Sequence, residues 1–122
     1  MKRFQGICIV TKDVDRLGDF YQQILQVAMQ RQGDHIAFAT EGAELVIFSE
    51  AGMEEMAPGS MAGAGYGSFT IGFEVENVDA EYERLTRMGA PCVKPPMTYP
   101  WGSRSAWFRD PDGNIVNFFM RV

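Results

Sequence analysis

Two stretches of the chain alternate apolar and polar residues and also resemble each other. Residues 6–16 read GICIVTKDVDR and residues 70–80 read TIGFEVENVDA. Each begins with apolar residues at every second position, which predicts a strand, and then passes through Val-Asp into helical spacing. The repeat predicts a duplicated unit. Because each half is too small to bury a good core alone, we expect the two halves to share a sheet.

The first half is predicted to have the order β-α-β-β-β. A strand over about residues 4–11 precedes a helix over about residues 14–25. The apolar face of that helix comprises Val14, Leu17, Tyr21, Ile24 and Leu25. Three short strands follow, at about 27–31, 35–40 and 43–49.

The second half repeats this order. A strand over about 69–76 leads into a helix over about 78–88, and an Asp-Pro-Asp-Gly-Asn turn at 110–114 precedes the last strand. The other strands are predicted at about 91–95, 103–109 and 114–121. We therefore predict one domain over residues 1–122, with module one at about 1–50, a Gly-rich linker at about 51–67 and module two at about 68–122.

Composition narrows the function classes. The chain has 122 residues and a net charge of -5 without a cluster of basic residues, which argues against a nucleic-acid partner. No apolar run is long enough for a membrane span and residues 1–10 lack the pattern of a signal peptide, so a cytoplasmic location is expected. The spacing of Cys8 and Cys92 fits neither a zinc knuckle nor a disulfide framework, and both are expected to be reduced core thiols.

Three segments make the chain similar to the vicinal oxygen chelate superfamily, which includes glyoxalase I, extradiol dioxygenases and bleomycin-resistance proteins. The segments are residues 13–21 (DVDRLGDFY), 77–82 (NVDAEY) and 108–116 (FRDPDGNIV). The resemblance covers essentially the whole chain. It implies an α+β fold of two βαβββ modules, in which a curved mixed sheet surrounds a cleft that a second subunit often completes. A homodimer is therefore expected.

Enzymes of this superfamily hold a divalent metal ion with His, Gln or Glu at four points on the first and last strands of the modules. The matching positions here are Gly6, Val46, Thr70 and Asn117. Glycine and valine have no side-chain donor, and the neutral oxygens of threonine and asparagine leave a divalent ion uncompensated. We expect no bound metal and no other cofactor. The single histidine, His35, lies away from these four positions.

Strand alternation predicts which side chains face the cleft. Glu74 is the one carboxylate predicted to point inward, either as a buried general base or as a solvated residue at the sheet edge. Tyr99 and Trp101 lie in a loop suited to stacking on a planar ligand, and Arg104 is expected to pair with a ligand carboxylate or with a nearby acid. The full set of ligand-binding candidates is Phe48, Thr70, Glu74, Tyr99, Trp101, Arg104, Trp107, Asn117 and Phe119.

Three functions fit this pattern. The first is a metal-independent protein that binds a small organic molecule, of the bleomycin-resistance type, for drug or toxin sequestration. The second is a lyase, isomerase or dioxygenase-like enzyme with an atypical site, acting through Glu74 or an unusual metal. The third is a dimerising or regulatory module whose cleft is filled by its own side chains. Fold does not decide between them.

Overall fold

A computed structural model describes residues 2–65 and 69–122. The chain divides into two compact units, Met1–Ala64 and Gly65–Val122. Each unit has the predicted β-α-β-β-β order, which confirms the α+β fold. The repeat predicts a sheet shared by the two halves, but each unit forms a four-stranded sheet of its own.

The described residues of the first unit form four strands and two helices. Its strands are β1 (Gly6–Thr11), β2 (Gln30–Gln32), β3 (His35–Phe38) and β4 (Glu44–Ser49). They are ordered β1-β4-β3-β2, with β1 and β4 parallel and the other pairs antiparallel. Helix α1 (Val14–Leu25) begins at the N-cap Asp13, whose Oδ1 accepts a hydrogen bond of 3.0 Å from the Arg16 backbone N–H. The predicted apolar face of α1 is buried except at Leu25, which is half-buried.

The linker predicted from residue 51 is wrong in its first part, because Glu50–Met56 forms helix α2. The Ser49 side chain caps this helix, accepting a 2.8 Å hydrogen bond from the Gly52 N–H. Turns follow over 58–63. Residues 66 and 67 of the predicted linker, and residue 68 of predicted module two, lie outside the described residues.

The second unit repeats the topology with one helix among its described residues. Its elements are β5 (Thr70–Glu74), α3 (Val78–Arg87), β6 (Cys92–Tyr99), β7 (Ser103–Arg109) and β8 (Ile115–Arg121). The sheet order is β5-β8-β7-β6, with β5 and β8 parallel and the other pairs antiparallel. Strand β6 extends four residues beyond its predicted end.

The two units bury equivalent sets of apolar side chains between helix and sheet. In the first unit, α1 contacts β3 through Gly18, where an added Cβ would lie 2.5 Å from Ile36 Cδ1. In the second unit, the Tyr82 ring of α3 packs on Phe108, with ring centroids 5.8 Å apart. The helix side of the second sheet is thereby sealed by a core that comprises Ile71, Val78, Leu85, Ala106, Phe108, Val116 and Phe118.

Candidate functional site

The second sheet has a face that α3 does not cover. Successive side chains of a strand point to opposite faces, so the residues next to buried Ala106 and Phe108 lie on the other side. The β7–β8 register places Trp107 opposite Asn117 and Ser105 opposite Phe119. These four side chains are therefore cross-strand neighbours on the uncovered face.

A concavity of about 430 Å³ lies on this face. This size falls within the range of small-molecule sites, about 300–1,000 Å³. Its lining, called here the aromatic pocket, consists of Tyr99, Trp101, Ser103, Ser105, Trp107, Asn117 and Phe119. Four of the seven are aromatic, and none is an acid or a histidine. The pocket is thus suited to holding a planar apolar group between a few polar atoms.

One side of the pocket is formed by the turn between β6 and β7. The Tyr99 and Trp101 rings stack with centroids 4.6 Å apart and an angle of 11° between their planes. The Gly102 N–H donates a 3.1 Å hydrogen bond to the Tyr99 carbonyl, and Gly102 has a φ of 84°, which glycine adopts without strain. Trp101 is 74% exposed, so one face of the stack remains accessible to a ligand.

Lys94 of β6 lies against three of the lining residues. Its Nζ is 4.5 Å from the centroid of the Tyr99 ring and 4.9 Å from that of Trp107. The ammonium donates hydrogen bonds to Ser105 Oγ, at 2.7 Å, and to the Ser105 carbonyl, at 3.2 Å. Two cation–π contacts and two hydrogen bonds hold this positive charge beside the pocket.

Two buried polar atoms of the lining make no hydrogen bond within the described part of the chain. They are Trp107 Nε1, a donor, and Asn117 Oδ1, an acceptor. A buried polar group without a partner costs about 1–3 kcal/mol. A ligand that accepts from the indole N–H and donates to the amide oxygen would remove both costs.

The structure brings five of the nine ligand-binding candidates into the aromatic pocket and leaves four outside it. The five are Tyr99, Trp101, Trp107, Asn117 and Phe119. The four outside are Phe48, Thr70, Glu74 and Arg104.

Arg104 and Glu74 are both engaged in ion pairs. Arg104 lies on the helix side of the sheet, where its Nε and Nη2 contact the Asp79 carboxylate at 2.8 and 2.7 Å. This pairing with an acid is one of the two alternatives predicted for Arg104. Glu74 is 57% exposed and pairs with Arg121 at 3.2 Å, so it is the solvated edge residue and not a buried general base.

The remaining two candidates lie elsewhere. Thr70 is exposed at the start of β5. Phe48 belongs to the first unit, where α2 packs on its ring: a Cβ added to Gly52 would lie 2.3 Å from Phe48 Cζ. Within the first unit, helix α2 therefore contacts the face that corresponds to the uncovered face of the second sheet.

The residues at the superfamily's metal positions do not fit a divalent ion. A Cβ at Gly6 would lie 1.9 Å from the Glu44 carbonyl oxygen, so the backbone itself occupies the space of a ligand side chain. Val46 pairs with Cys8 across β1 and β4 and has no donor atom. Across residues 2–65 and 69–122, no group of three His, Cys, Asp or Glu side chains is placed to hold a metal ion.

The histidine and the cysteines lie outside the aromatic pocket. The exposed His35 and Phe48 rings are in an edge-to-face arrangement, with centroids 6.0 Å apart. Cys8 and Cys92 are both exposed, so the expectation of core thiols is wrong. Partial desolvation raises the pKa of the Cys8 thiol above its ordinary value, which disfavours the nucleophilic thiolate.

The nine candidates predicted from sequence did not include Ser103, Ser105 or Lys94. Ser103 was within reach, because it continues the period-two series of Ser105 and Trp107 on a correctly predicted strand. Lys94 was not, because the β6–β7 register shifts on both sides of Lys94 and the sequence does not reveal on which face it emerges.

Comparison with known proteins relates the whole chain to one superfamily. The model of the Glyoxalase/Bleomycin resistance protein/Dioxygenase superfamily matches residues 3–118. The uncharacterised protein YraH of Bacillus subtilis (strain 168) is 28% identical over 129 aligned residues, which cover all of both chains.

None of the helices formed by the described residues has the length and apolar character needed to cross a membrane.

Solved structures agree with this relationship. A glyoxalase/bleomycin resistance protein/dioxygenase family enzyme from Burkholderia phytofirmans PsJN superimposes with a TM-score of 0.85 at 18% identity, covering 99% of this chain and 100% of that one. A lactoylglutathione lyase from Agrobacterium tumefaciens gives a TM-score of 0.77 at 23% identity, covering 98% of this chain and 94% of that one. Likeness at these identities establishes the fold and leaves the chemistry to the residues of the site.

Proposed function

Because this chain belongs to the glyoxalase/bleomycin resistance protein/dioxygenase superfamily, we propose that it binds a small planar organic molecule in the aromatic pocket without a metal ion. The observation that carries the proposal is the uncovered concavity of about 430 Å³ with four aromatic side chains in its lining. Burial of a planar ligand against these rings supplies the affinity. The unpartnered atoms of Trp107 and Asn117 orient it.

Sequestration without chemistry accounts for the residues of the pocket better than catalysis does. The seven lining residues include no carboxylate or imidazole, the side chains that most often transfer protons near neutral pH. Glu74, the candidate base, is exposed and paired with Arg121. Gly6 and Val46 leave two of the four metal positions without a donor atom, which argues against the Lewis acid used by the related enzymes.

The proposal is tested by ligand-induced thermal stabilisation of protein that has been treated with chelator. A library of fused-ring aromatic compounds is screened, and each hit is titrated by calorimetry, because a specific ligand stabilises the native state by mass action. Trp107→Ala should weaken binding of a hit by about 1–3 kcal/mol, the usual effect of removing a buried aromatic contact.

Phe4→Ala is the matched control for Trp101→Ala, since each of these two aromatic residues is 74% exposed but only Trp101 lines the pocket. We expect Trp101→Ala to weaken binding and Phe4→Ala to leave it unchanged. Equal affinities in all variants, or binding that requires added metal ion, would contradict the proposal.

The proposal includes a homodimer. The two four-stranded sheets formed by the described residues have four edge strands, and such edges are templates for pairing with another chain. Edge strand β6 also exposes apolar side chains, with Val93 40% and Met97 50% exposed. Light scattering at micromolar concentration should give twice the chain mass of 13.7 kDa. A mass equal to that of one chain would count against the dimer.

A further inference from the structure

Lys94 is a cation beside the aromatic pocket with no anionic partner in the described part of the chain. The ion pairs formed there join Arg31 to Asp15, Arg84 to Glu81, Arg104 to Asp79 and Arg121 to Glu74, and none involves Lys94. Two of the three ammonium protons are directed to Ser105. The other contacts of the ammonium are the rings of Tyr99 and Trp107, so the described residues leave its positive charge without an anion.

The strand side chains on the uncovered face of the second sheet carry a positive balance. By register and alternation, this face bears Lys94, Arg109 and Arg121 against the single carboxylate of Glu74. Glu74 is neutralised by Arg121. The protein as a whole has a net charge of -5, so the charge of this face is opposite in sign to the net charge of the protein. A face of this kind concentrates anions.

Uncharged groups of the pocket also suit an anion. The indole N–H of Trp107 is a buried donor that finds no acceptor among the described residues, and the centroid of its ring lies 4.9 Å from Lys94 Nζ. An acceptor bound at the Lys94 ammonium would receive a charge-assisted hydrogen bond. The ring of the same ligand would pack on the aromatic side chains of the pocket.

We propose that the ligand of this pocket is a planar aromatic anion, such as an aromatic carboxylate, whose charge is paired with Lys94. This inference rests on the proposed function and adds the charge of the ligand to it. Cationic ring systems are not expected to bind, because their positive charge would lie beside the Lys94 ammonium.

Three probes that share one ring system test the charge. They are 1-naphthoate, the neutral 1-naphthamide and the cationic 1-naphthylmethylammonium, each titrated calorimetrically into wild-type protein at neutral pH and low salt. We expect naphthoate to bind about tenfold or more tighter than naphthamide, and the cation to bind weakest. Added NaCl should weaken naphthoate binding and leave naphthamide binding unchanged.

Lys94→Met identifies the residue responsible. Methionine retains an apolar stem of similar length and removes the charge. In this variant, naphthoate affinity should fall about tenfold while naphthamide affinity changes less than about twofold. Lys12→Met, an exposed lysine of the first unit, is the matched control and should alter neither.

The outcomes separate the two proposals. If naphthamide or the cation binds wild-type protein as tightly as naphthoate does, the charge inference is overturned while the pocket remains a binding site. If Lys94→Met lowers the affinities of naphthoate and naphthamide equally, the lysine acts through packing, and the inference is again overturned. If no probe binds, the proposed function fails with it. The wild-type comparison uses no variant, so it stands even where Lys94→Met lowers stability.

Discussion

The backbone of β1 passes so close to β4 at Gly6 that a side chain has no room. A Cβ at this position would lie 1.9 Å from the carbonyl oxygen and 2.8 Å from the carbonyl carbon of Glu44. Both atoms belong to the backbone, so the strand itself would have to shift. The resemblance to the superfamily matches residue 6 to a metal-ligand position, and main-chain packing leaves no room for a side chain there.

Gly6→Ala should therefore lower the free energy of unfolding by about 2–3 kcal/mol, as expected for overpacking against rigid atoms. Gly42→Ala is the control, because the nearest atom to its Cβ would be Thr40 Oγ1 at 3.9 Å. Urea denaturation of the two variants measures the difference. Equal midpoints for both would contradict the close approach of β1 and β4 at this residue.

Arg104 holds α3 to the sheet through the carboxylate of Asp79. Its hydrogen bonds lower the pKa of Asp79 below the ordinary value. A carboxylate with a lowered folded pKa stabilises the fold above its unfolded pKa, and this stabilisation is lost as the pH falls through the folded pKa. The stabilising effect of the pair is therefore present at neutral pH and absent in acid.

We expect Arg104→Gln to raise the pKa of Asp79 toward its ordinary value, which an NMR titration of the side-chain carboxyl measures directly. The stability difference between wild type and this variant should shrink as the pH is lowered. Binding of 1-naphthoate should not change, because Arg104 lies on the helix side of the sheet. An unaltered Asp79 pKa would show that the pair does not form in solution.

The repeated Val-Asp step of the sequence marks the start of a helix in each unit. The preceding residue is the N-cap in both: Asp13 accepts from Arg16 N–H, and Asn77 Oδ1 accepts from Ala80 N–H at 3.0 Å. A side-chain oxygen at this position satisfies one of the free amide groups of the first turn. The sequence similarity between the two halves therefore partly reflects the N-cap that begins the helix in each of them.

Asn77→Ala should destabilise the protein by about 1 kcal/mol, and Asn77→Ser by much less, since serine is an equally good cap. Thermal and urea unfolding measure both variants. Because the cap is remote from the aromatic pocket, affinity for a pocket ligand should be unchanged in each. An Asn77→Ala variant as stable as wild type would show that the Asn77 cap does not stabilise α3.

Elements with a clear period were predicted from sequence, and those that depend on packing were not. Helix α1 and strand β7 have the predicted bounds, 14–25 and 103–109, because their apolar positions recur at regular spacing. Helix α2 was missed because its seven residues, EAGMEEM, carry no apolar stripe. Its contact with the sheet is made by the backbone at Gly52, beside the Phe48 ring.

The same distinction holds for the aromatic pocket. Alternation on β7 and β8 placed Trp107, Asn117 and Phe119 on one face, since the period of a strand fixes the face of each side chain. Alternation also placed Glu74 on that face. It does not predict how deeply a side chain is buried, and at the end of β5 Glu74 is exposed to solvent beside Arg121. The face on which Lys94 lies depends on the irregular pairing of β6 with β7, which no local sequence pattern predicts.

In the molecule as a whole, two copies of one topology present different surfaces. In the first unit α2 packs on Phe48, whereas in the second unit the corresponding face carries the aromatic pocket. The α2 segment lies before residue 65, and α3 is the one helix formed by the described residues of the second unit. The two copies of the fold therefore differ through the sequence that follows β4, which adds a helix to the described residues of the first unit.

The chain offers a direct reporter of that ligand, because both of its tryptophans, Trp101 and Trp107, line the aromatic pocket. A ¹H–¹⁵N spectrum of the labelled protein accordingly contains two indole N–H signals, and both originate there. Single Trp→Phe variants assign the two signals.

The most direct test of metal-free binding in this pocket is a titration of chelator-treated, ¹⁵N-labelled protein with 1-naphthoate, followed through these indole signals. We predict that both signals move saturably, with the larger change at Trp107, whose unpartnered Nε1–H acquires an acceptor. Signals that stay in place at saturating naphthoate, or that move only after a divalent metal ion is added, would contradict the account.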